Sequence, residues 1–308
     1  MSKQCQVLAN YAKHGCSRIE IHELAPCITT HCFKSVNLIS LQPGEKMSSK
    51  SPLILGIDLE GMNEDLINSG LNLKVDRVIE VGAVLWDFNR KRPLQIVTDL
   101  INEKDHLPIS EEVERLTGID DEMLNDWGLR EDHIKAFLRN LTGYINRADY
   151  LMAHNGPNYD IPMLDAMYKR YGMEMPEKIW IDTVTDVEYP ENIQQRSMMA
   201  LEYHHGFINP FPHRAVTDVM AMLKVASCYD LNRMVELAKS PNVTIVARLN
   251  APDWRNAVEV KKFNKVKNKV AKSKFKWNPS NKTWTRTVQK VLLDEGKLEF
   301  DFDWYIME

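Results

Sequence analysis

The sequence predicts an α/β protein in which helices flank a mixed β-sheet, followed by a small basic α+β module. Apolar, β-branched segments come early, and amphipathic helices and a further strand alternate after them. The module is predicted from charge, because residues 255–290 contain 12 basic residues and one acid, whereas the whole 308-residue chain carries −4. The segment alone therefore contributes +11 and the remainder −15, an asymmetry typical of proteins that bind a polyanion such as nucleic acid.

The composition excludes several classes of protein. With 44% hydrophobic and 27% charged residues, the chain can form a sizeable core and does not resemble collagen or a wholly disordered protein. No apolar run approaches the roughly 18 residues needed to cross a bilayer. The N-terminus lacks the basic-then-apolar pattern of a signal peptide. We therefore expect a cytoplasmic protein with no membrane partner, and protein partners stay open.

Residues 1–50 are predicted to be a poorly ordered leader or upstream extension. Met47 precedes a short polar segment and then the first strong strand, which is how a natural start looks. Four of the five cysteines lie in this region: Cys5, Cys16, Cys27 and Cys32. Zinc binding is an alternative, but only the last two approach the ligand spacing of structural zinc sites, so we expect reduced thiols.

Three strands are predicted to form an antiparallel meander at one side of the sheet. The segments 53–57 and 77–86 are short apolar runs bounded by polar residues, and 95–100 is a plausible third strand. Ser110 is then expected to cap a short helix. A longer helix is predicted from Glu131 to Ile145, because its apolar residues recur at helical spacing.

A fourth strand and two more helices complete this part of the prediction. Tyr150–Ala153 is apolar and ends in a turn that contains His154 and Asn155. An amphipathic helix follows and ends at Gly172, where a glycine favours helix termination. Another helix is predicted around Val216 and Leu223, which lie on one helical face.

Two acids follow the first strand segment at a spacing of two. Asp58 and Glu60 therefore lie on one face of the strand and can converge on a single cation. The alternative is a solvated strand end, because acids are common in this chain.

Three further residues complete a candidate site. Asp160 lies between a strand and a helix, where a helix N-cap is the alternative role. His213 precedes Asp218 by five residues, so the two would be about 140° apart on a helix, and we place the histidine on the preceding loop. As alternatives, Asp218 simply faces solvent and His213 is an ordinary loop histidine. The adjacent pair His204 and His205 is interpreted as loop or structural.

These residues together resemble the three motifs of the histidine subtype of the DEDD exonuclease superfamily, which includes bacterial proofreading subunits, ribonuclease T and oligoribonuclease. The matching segments are Asp58-Leu59-Glu60, then His154-Asn155 with Tyr159-Asp160, then His213-x-Ala215-x-x-Asp218. The resemblance covers about residues 53–229. It implies a ribonuclease H-like fold and removal of nucleotides in the 3′-to-5′ direction.

The resemblance implies metal chemistry that suits these residue types. Asp58, Glu60, Asp160 and Asp218 are implied ligands of two Mg²⁺ or Mn²⁺ ions, which prefer hard oxygen donors. His213 is the implied general base, since an imidazole with its ordinary pKa of about 6.5 can accept a proton near neutral pH.

The residues implied to contact nucleic acid near this site are Met62, Asn155 and Tyr159. Gly61 and Met62 depart from the family pattern, in which threonine or methionine often follows the glutamate directly. The missing hydroxyl affects how the terminal nucleotide is held, and Met62 stacks on it or packs in the protein instead. The departure removes no metal ligand.

The predicted domains are an exonuclease domain at 51–232 and a nucleic-acid-binding module at 240–308. In the module, a helix over 253–273 carries Lys261, Lys262 and Lys265, and a hairpin follows with Lys276, Trp277 and Trp284. Lysines neutralise phosphates and tryptophans stack on bases. In the alternative interpretation, both tryptophans fill the small core and the lysines form a solvated face. The hairpin weakly resembles a small module with a Trp-Asn/Asp-Pro…Lys-x-Trp pattern seen beside nucleic-acid enzymes.

The sequence therefore favours a metal-dependent 3′-to-5′ exonuclease that acts on single-stranded or frayed DNA. The same chemistry on RNA is one alternative, because the sequence does not reveal how a 2′-hydroxyl would be recognised. A catalytically silent nucleic-acid-binding adaptor is another, and the intact set of five residues speaks against it.

Overall fold

The computed structural model describes residues 50–307, which belong to one compact unit. The predicted leader and its four cysteines lie outside the described residues, apart from Lys50. Within the described part of the chain, no helix is long and apolar enough to span a bilayer.

A five-stranded mixed sheet lies at the centre of residues 50–239. Its strands are β1 (Leu53–Met62), β2 (Arg77–Asp87), β3 (Arg92–Leu100), β4 (Tyr150–Ala153) and β5 (Trp180–Asp182). The spatial order is β3-β2-β1-β4-β5. Strands β1 to β3 pair antiparallel, whereas β4 and β5 run parallel to β1. The predicted meander and the mixed sheet of a ribonuclease H-like fold are confirmed.

Eight α-helices accompany this sheet within residues 50–239. They are α1 (Leu66–Ser69), α2 (Glu111–Thr117), α3 (Asp121–Trp127), α4 (Glu131–Arg147), α5 (Asp160–Arg170), α6 (Met198–His204), α7 (Ala215–Ala226) and α8 (Leu231–Lys239). The predicted cap is confirmed, since the Ser110 side chain accepts a hydrogen bond from the Val113 amide. Helix α4 buries the five apolar residues that predicted it, from Ile134 to Ile145.

The sheet is covered on both faces, and β1 divides its side chains between them. Leu55, Ile57 and Leu59 pack with α4 and α5, while Ile54 packs with α7. Because side chains alternate along a strand, Asp58 and Glu60 lie on the α7 side. The acids on β1 therefore share a face with the helix that carries Asp218.

A glycine on β2 allows α7 to approach this face. Gly82 pairs with Asp58 across the sheet. A Cβ atom at this position would lie 2.4 Å from the backbone of Ala215 and of Val216, at the start of α7. No larger residue fits there, so the glycine brings the N-terminal turn of α7 directly beside the strand that carries the acids.

Residues 240–307 contain a second sheet, and we call this segment the C-terminal module. It comprises β6 (Asn242–Ala247), α9 (Ala257–Lys272), β7 (Lys276–Asn278), β8 (Thr283–Gln289), α10 (Lys290–Asp294) and β9 (Trp304–Ile306). The strands pair antiparallel in the order β7-β8-β6-β9, so the predicted hairpin is confirmed. The predicted limit at residue 232 falls inside α8, whose Met234 and Val235 pack in the same core as β1 and α7. The domain limits stay a prediction.

Candidate active site

Three of the five predicted site residues lie within metal-binding distance of one another. Glu60, His213 and Asp218 each offer one ligand atom, and these atoms lie within 4.8 Å of one another. They come from β1, from the loop before α7 and from the first turn of α7. The close approach at Gly82 brings these elements together.

Asp160 is positioned by a contact with β1. Its Oδ1 accepts a hydrogen bond of 3.0 Å from the Leu59 amide, between the two acids of the strand. The alternative helix N-cap role is wrong, because Asp160 is the first helical residue of α5 and the preceding Tyr159 occupies the cap position. The side chain therefore faces the strand, where it is 2% exposed.

Burial and mutual repulsion make the four carboxylates costly to ionise together. Desolvation is the largest cause that raises the pKa of Asp58 well above its ordinary value, and the charges of Asp160, Glu60 and Asp218 raise it further. Desolvation likewise raises the pKa of Glu60 to about 8 and that of Asp160 to about 7. The pKa of Asp218 is also raised, again mainly by burial.

This donor set fits divalent cations. Carboxylate oxygens are the ligands that Mg²⁺ and Mn²⁺ prefer. Cations would also offset the repulsion between the acids, which adds to burial in raising the pKa of Asp58 and of Glu60. The arrangement can therefore hold metal ions in a site built from three segments that are distant in the sequence.

The structure places His213 on the loop before α7, as the spacing predicted. The residue is exposed and has a left-handed backbone with φ of 60°. Its amide donates to Asp218 Oδ2 at 3.1 Å, and this bond ties the loop to the helix. The exposed imidazole can meet solvent water while its backbone stays fixed.

Two pockets meet at His213. One of about 420 Å³ is lined by Asp58, Asn155 and Asp218 together with the histidine. The other, of about 470 Å³, is lined by Glu60 and Tyr159 and again by the histidine. A substrate that fills both pockets would pass directly over the carboxylates.

The residues predicted to contact nucleic acid near the site have different surroundings. Asn155 is exposed and Tyr159 is half-buried, and each lines a pocket. Met62 is only 7% exposed and packs with Ile79 and Leu124. Of the two roles considered for Met62, the structure therefore favours packing over stacking.

The glycine that departs from the family pattern has a local structural reason. A Cβ atom at Gly61 would lie 2.2 Å from the Tyr159 hydroxyl. This hydroxyl donates a hydrogen bond of 3.0 Å to Asn63 Oδ1. Glycine thus allows the tyrosine to reach across the end of β1.

An ion pair that the sequence did not reveal flanks the site. Glu80, on β2 and 3% exposed, accepts two hydrogen bonds from the Arg214 guanidinium, at 2.7 and 3.1 Å for the shortest pairs. It also accepts from the Ala215 amide at 2.9 Å. The ion pair therefore fixes Arg214, the residue that follows His213. Its sequence signal is an acid within an otherwise apolar strand, which demands a buried partner.

Asn209 is a second residue that the sequence did not reveal. Its side-chain amide donates to Asp218 Oδ1 at 2.5 Å, and its backbone amide donates to Glu202 at 2.8 Å. It therefore fixes the second oxygen of the Asp218 carboxylate. His205 is structural, as interpreted, since its ring nitrogens contact the Leu201 carbonyl and the Tyr229 hydroxyl.

The candidate binding residues of the C-terminal module are mostly exposed. Lys261, Lys262, Lys265 and Lys276 are all exposed. Trp277 is 47% exposed, whereas Trp284 is half-buried and packs against the core of the module. The two indole rings lie 5.7 Å apart. The core-filling alternative thus describes Trp284 and does not describe Trp277.

Comparisons with known proteins agree with the fold. A family model described as Exonuclease, named RNase_T, matches residues 57–226. The chain is 25% identical over 233 residues to a DNA polymerase III PolC-type protein of Caldanaerobacter subterraneus subsp. tengcongensis, and 25% over 230 residues to one of Ureaplasma parvum. These alignments cover 74% and 69% of this chain but only 16% and 15% of the relatives.

Solved structures include one described as the nuclease domain of 3'hExo, a DEDDh family member, bound to rAMP. Its TM-score is 0.47 at 15% identity, and the alignment covers 58% of this chain and 92% of that one.

The region that the family model matches is more than half of the chain, and it contains all five residues of the candidate site. The chain therefore belongs to the exonuclease family, as a member of the histidine subtype of the DEDD 3′-to-5′ exonucleases.

Proposed function

We propose that this chain removes nucleotides from the 3′ ends of single-stranded or frayed DNA by two-metal phosphodiester hydrolysis. The observation that carries the proposal is the convergence of acids from β1, α5 and α7 beside an exposed histidine. The family match supports exonuclease chemistry, and the substrate and metal requirement go beyond it.

The proposed metal ligands are Asp58, Glu60, Asp160 and Asp218, and the proposed ions are Mg²⁺ or Mn²⁺. When bound, two such ions would stabilise the attacking and departing oxygens of the phosphodiester. The hydrogen bonds to Asp160 and Asp218 hold these carboxylates in fixed orientations. The carboxylates therefore face the proposed metal site already in the folded protein, so that they need no further rearrangement.

In this proposal, His213 accepts a proton from the attacking water. The water oxygen forms a bond to phosphorus, the bond from phosphorus to the 3′ oxygen of the preceding nucleotide breaks, and that oxygen takes up a proton. The hydrogen bond from the His213 amide to Asp218 and the Glu80–Arg214 pair hold the backbone of this loop at the junction of the two pockets, from which the imidazole extends.

The relatives support DNA as the substrate. Both curated relatives are DNA polymerase III proteins of the PolC type, and each aligns with over two thirds of this chain. Because the aligned region is only about a sixth of each relative, the activity of those proteins as a whole does not transfer. The cytoplasmic location expected from the sequence stays a prediction.

The C-terminal module is proposed to hold the strand that the active site shortens. The lysines of α9 other than Lys269 form no ion pair within residues 50–307, so they are available to phosphates. Trp277 exposes an aromatic surface beside Lys276 on the hairpin. Charged and aromatic groups together are typical of single-strand binding surfaces.

The decisive experiment compares DNA and RNA oligonucleotides of identical sequence, each labelled at its 5′ end, with the full-length protein and Mg²⁺. We expect a ladder of labelled DNA products that shortens progressively from the 3′ end. Single-stranded ends should be degraded faster than fully paired ends. EDTA should abolish the reaction.

The Asp58→Asn variant, purified in parallel, controls for contaminating nucleases. Faster degradation of RNA than of DNA would favour the alternative substrate. Binding without cleavage, at saturating Mg²⁺ and Mn²⁺, would instead identify a nucleic-acid-binding adaptor. Cleavage that survives EDTA would contradict the metal-dependent chemistry.

A further inference from the structure

A buried amide connects the C-terminal module to the exonuclease domain. Gln289 is the last residue of β8 and is only 8% exposed. Its Nε2 donates a hydrogen bond of 2.6 Å to Asp186 Oδ1 and another of 3.3 Å to the Thr185 carbonyl. Both protons of the amide are used, so the orientation of Gln289 is fixed.

The acceptor of this bond organises the turn that follows β5. Asp186 is 6% exposed, and its Oδ2 accepts from the Asp182 amide at 2.7 Å. The Asp186 amide returns a hydrogen bond of 2.8 Å to the Asp182 carbonyl. A buried carboxylate requires such donors, and Gln289 supplies the one that comes from outside the turn.

The same turn holds the segment that lines the active-site pocket. Asp182 Oδ1 accepts from the Asn155 amide at 2.7 Å. The Thr183 hydroxyl lies 2.8 Å from His154 Nδ1. Asn155 has a left-handed backbone with φ of 64°, a conformation that asparagine tolerates better than most residues.

We infer that Gln289 is a positioning residue for the nuclease site, which acts from the C-terminal module through the turn 182–186 upon His154 and Asn155. The inference rests on the proposed function, because these two residues line the pocket that also contains Asp58, His213 and Asp218. The C-terminal module thus helps to position the residues of the nuclease site, in addition to its proposed role in binding the nucleic-acid strand.

The ion pairs that join the module to the rest of the unit do not reach this turn. Arg233 pairs with Glu295, and Lys297 pairs with Glu188, all through partly exposed groups. This difference supplies a matched control. Glu295→Gln weakens the junction without touching Asp186, whereas Gln289→Leu removes both amide donors at nearly constant size.

The test measures kcat and KM on a short 5′-labelled DNA oligonucleotide for the full-length protein and its variants. Gln289→Leu should lower kcat by about 10- to 100-fold, the range found when a residue that supports an active-site group is removed. Glu295→Gln should leave kcat unchanged. Gln289→Glu, which places a second carboxylate against Asp186, should reduce kcat further.

An exchange of donor and acceptor provides the rescue. In the double variant Asp186→Asn with Gln289→Glu, the new amide donates to the new carboxylate, and the asparagine oxygen still accepts from the Asp182 amide. We expect kcat to recover in part, to a value well above that of Gln289→Glu, because the exchange restores the contact with position 186 but leaves the Thr185 carbonyl without a donor. If the double variant is as impaired as Gln289→Glu, the inference is wrong.

Hydrogen–deuterium exchange of the Asn155 amide gives a readout that does not depend on activity. Exchange should be slow in the wild type, faster in Gln289→Leu and slow again in the double variant. A wild type without nuclease activity would contradict the proposed function, and exchange would still test the positioning role. Unchanged exchange in a folded Gln289→Leu variant, or faster exchange with unchanged kcat, would overturn the inference.

Discussion

At the scale of single residues, the acids of the site oppose the stability of the metal-free fold. Raised pKa values mean that the folded state disfavours the ionised carboxylates of Asp58 and Glu60. A residue that serves metal binding can therefore cost stability when no metal is bound, as is common for functional groups.

Asp58→Asn should separate these two effects. We expect turnover to fall by several orders of magnitude, because a charged oxygen donor is removed. The metal-free variant should unfold at a higher temperature than the wild type near pH 8, because a carboxyl that burial and neighbouring acids disfavour in its ionised form is absent. Turnover assays and thermal denaturation in EDTA measure the two outcomes.

The matched control is Asp165→Asn, on the exposed side of α5, where the carboxylate pairs with Lys169. It should change neither turnover nor the unfolding temperature appreciably, since exposed pairs contribute little. Near-normal turnover in Asp58→Asn at saturating Mg²⁺ would remove Asp58 from the proposed ligands.

His213→Ala should lower the rate at neutral pH by roughly 10²–10⁴-fold, the usual contribution of a positioned general base. The rate should recover in part at high pH, where hydroxide replaces the activated water. The pH–rate profile is the measurement, with His204→Ala as the control because His204 is also exposed and lies on α6. A profile of unchanged shape in His213→Ala would argue against the proposed role.

At the scale of elements, α9 presents its lysines opposite its buried face. At about 100° per residue, Lys261, Lys265 and Lys272 lie within about 40° of one another, while Val270 points to the opposite side and is fully buried. This geometry separates the binding surface from the core, so the lysines can be changed without unfolding the module.

Replacing Lys261, Lys265 and Lys272 together by glutamine should weaken binding to long single-stranded DNA. The slope of log affinity against log salt should become shallower by roughly 0.7 for each phosphate that is no longer neutralised. Binding titrations at several salt concentrations measure this slope. The control replaces Lys91, Lys104 and Lys239, three exposed lysines of the exonuclease part. Equal slopes for wild type and the α9 variant would show that the lysines form only a solvated face.

Trp277→Ala should lower the affinity for single-stranded DNA without changing the salt dependence of binding. Removal of a stacking surface should cost about 1–3 kcal/mol of binding free energy, while the salt slope stays constant because no charge changes. The same titrations test this. Unfolding of the module in this variant, detected by circular dichroism, would mean that Trp277 is a core residue despite its exposure.

The elements also show how far the sequence predicts the fold. Helix α4 was predicted from its helical periodicity and strand β4 from a short apolar run, and the structure buries the residues on which both predictions rest. Helix α6 and strand β9 were not predicted, since they are short and tertiary packing rather than local pattern stabilises them.

The same distinction holds at the site. The five site residues follow from spacing and family resemblance. The roles of Glu80 and Gln289 do not, because their partners lie 134 and 103 positions away, and the contact of Asn209 with Asp218 forms through a loop without a sequence pattern. The N-cap alternative for Asp160 was wrong for the same reason: the contact with Leu59 on β1 has no local sequence signal.

At the scale of the whole molecule, proton and metal binding are linked to stability. Burial raises the pKa of Glu60 to about 8 and that of Asp160 to about 7, so the folded state binds protons more tightly than the unfolded chain. In the metal-free protein, the contribution of these two groups to stability is therefore fully present below the ordinary carboxyl pKa and is lost as pH rises toward 8.

Mn²⁺ should reverse this trend, because it binds the deprotonated carboxylates and releases their protons. We expect the unfolding temperature in EDTA to fall from about pH 6 to about pH 8. The increase in the free energy of unfolding on addition of Mn²⁺ should be larger at the higher pH. At a free Mn²⁺ concentration of 100 times the dissociation constant, this increase is about 2.7 kcal/mol. Calorimetry at both pH values checks this, and equal gains would contradict the linkage.

The parallel pairing of β1 with β4 has a consequence for how the protein is made. The antiparallel neighbour β2 follows β1 closely, but the β1–β4 register joins residues nearly 100 positions apart, such as Ile54 and Tyr150. Contacts of such separation form slowly, because a long loop must close first. Asp218 is synthesised later still. We therefore expect a nascent chain on the ribosome to carry no assembled nuclease centre, so that translation itself delays the appearance of an activity that would otherwise threaten nearby nucleic acid.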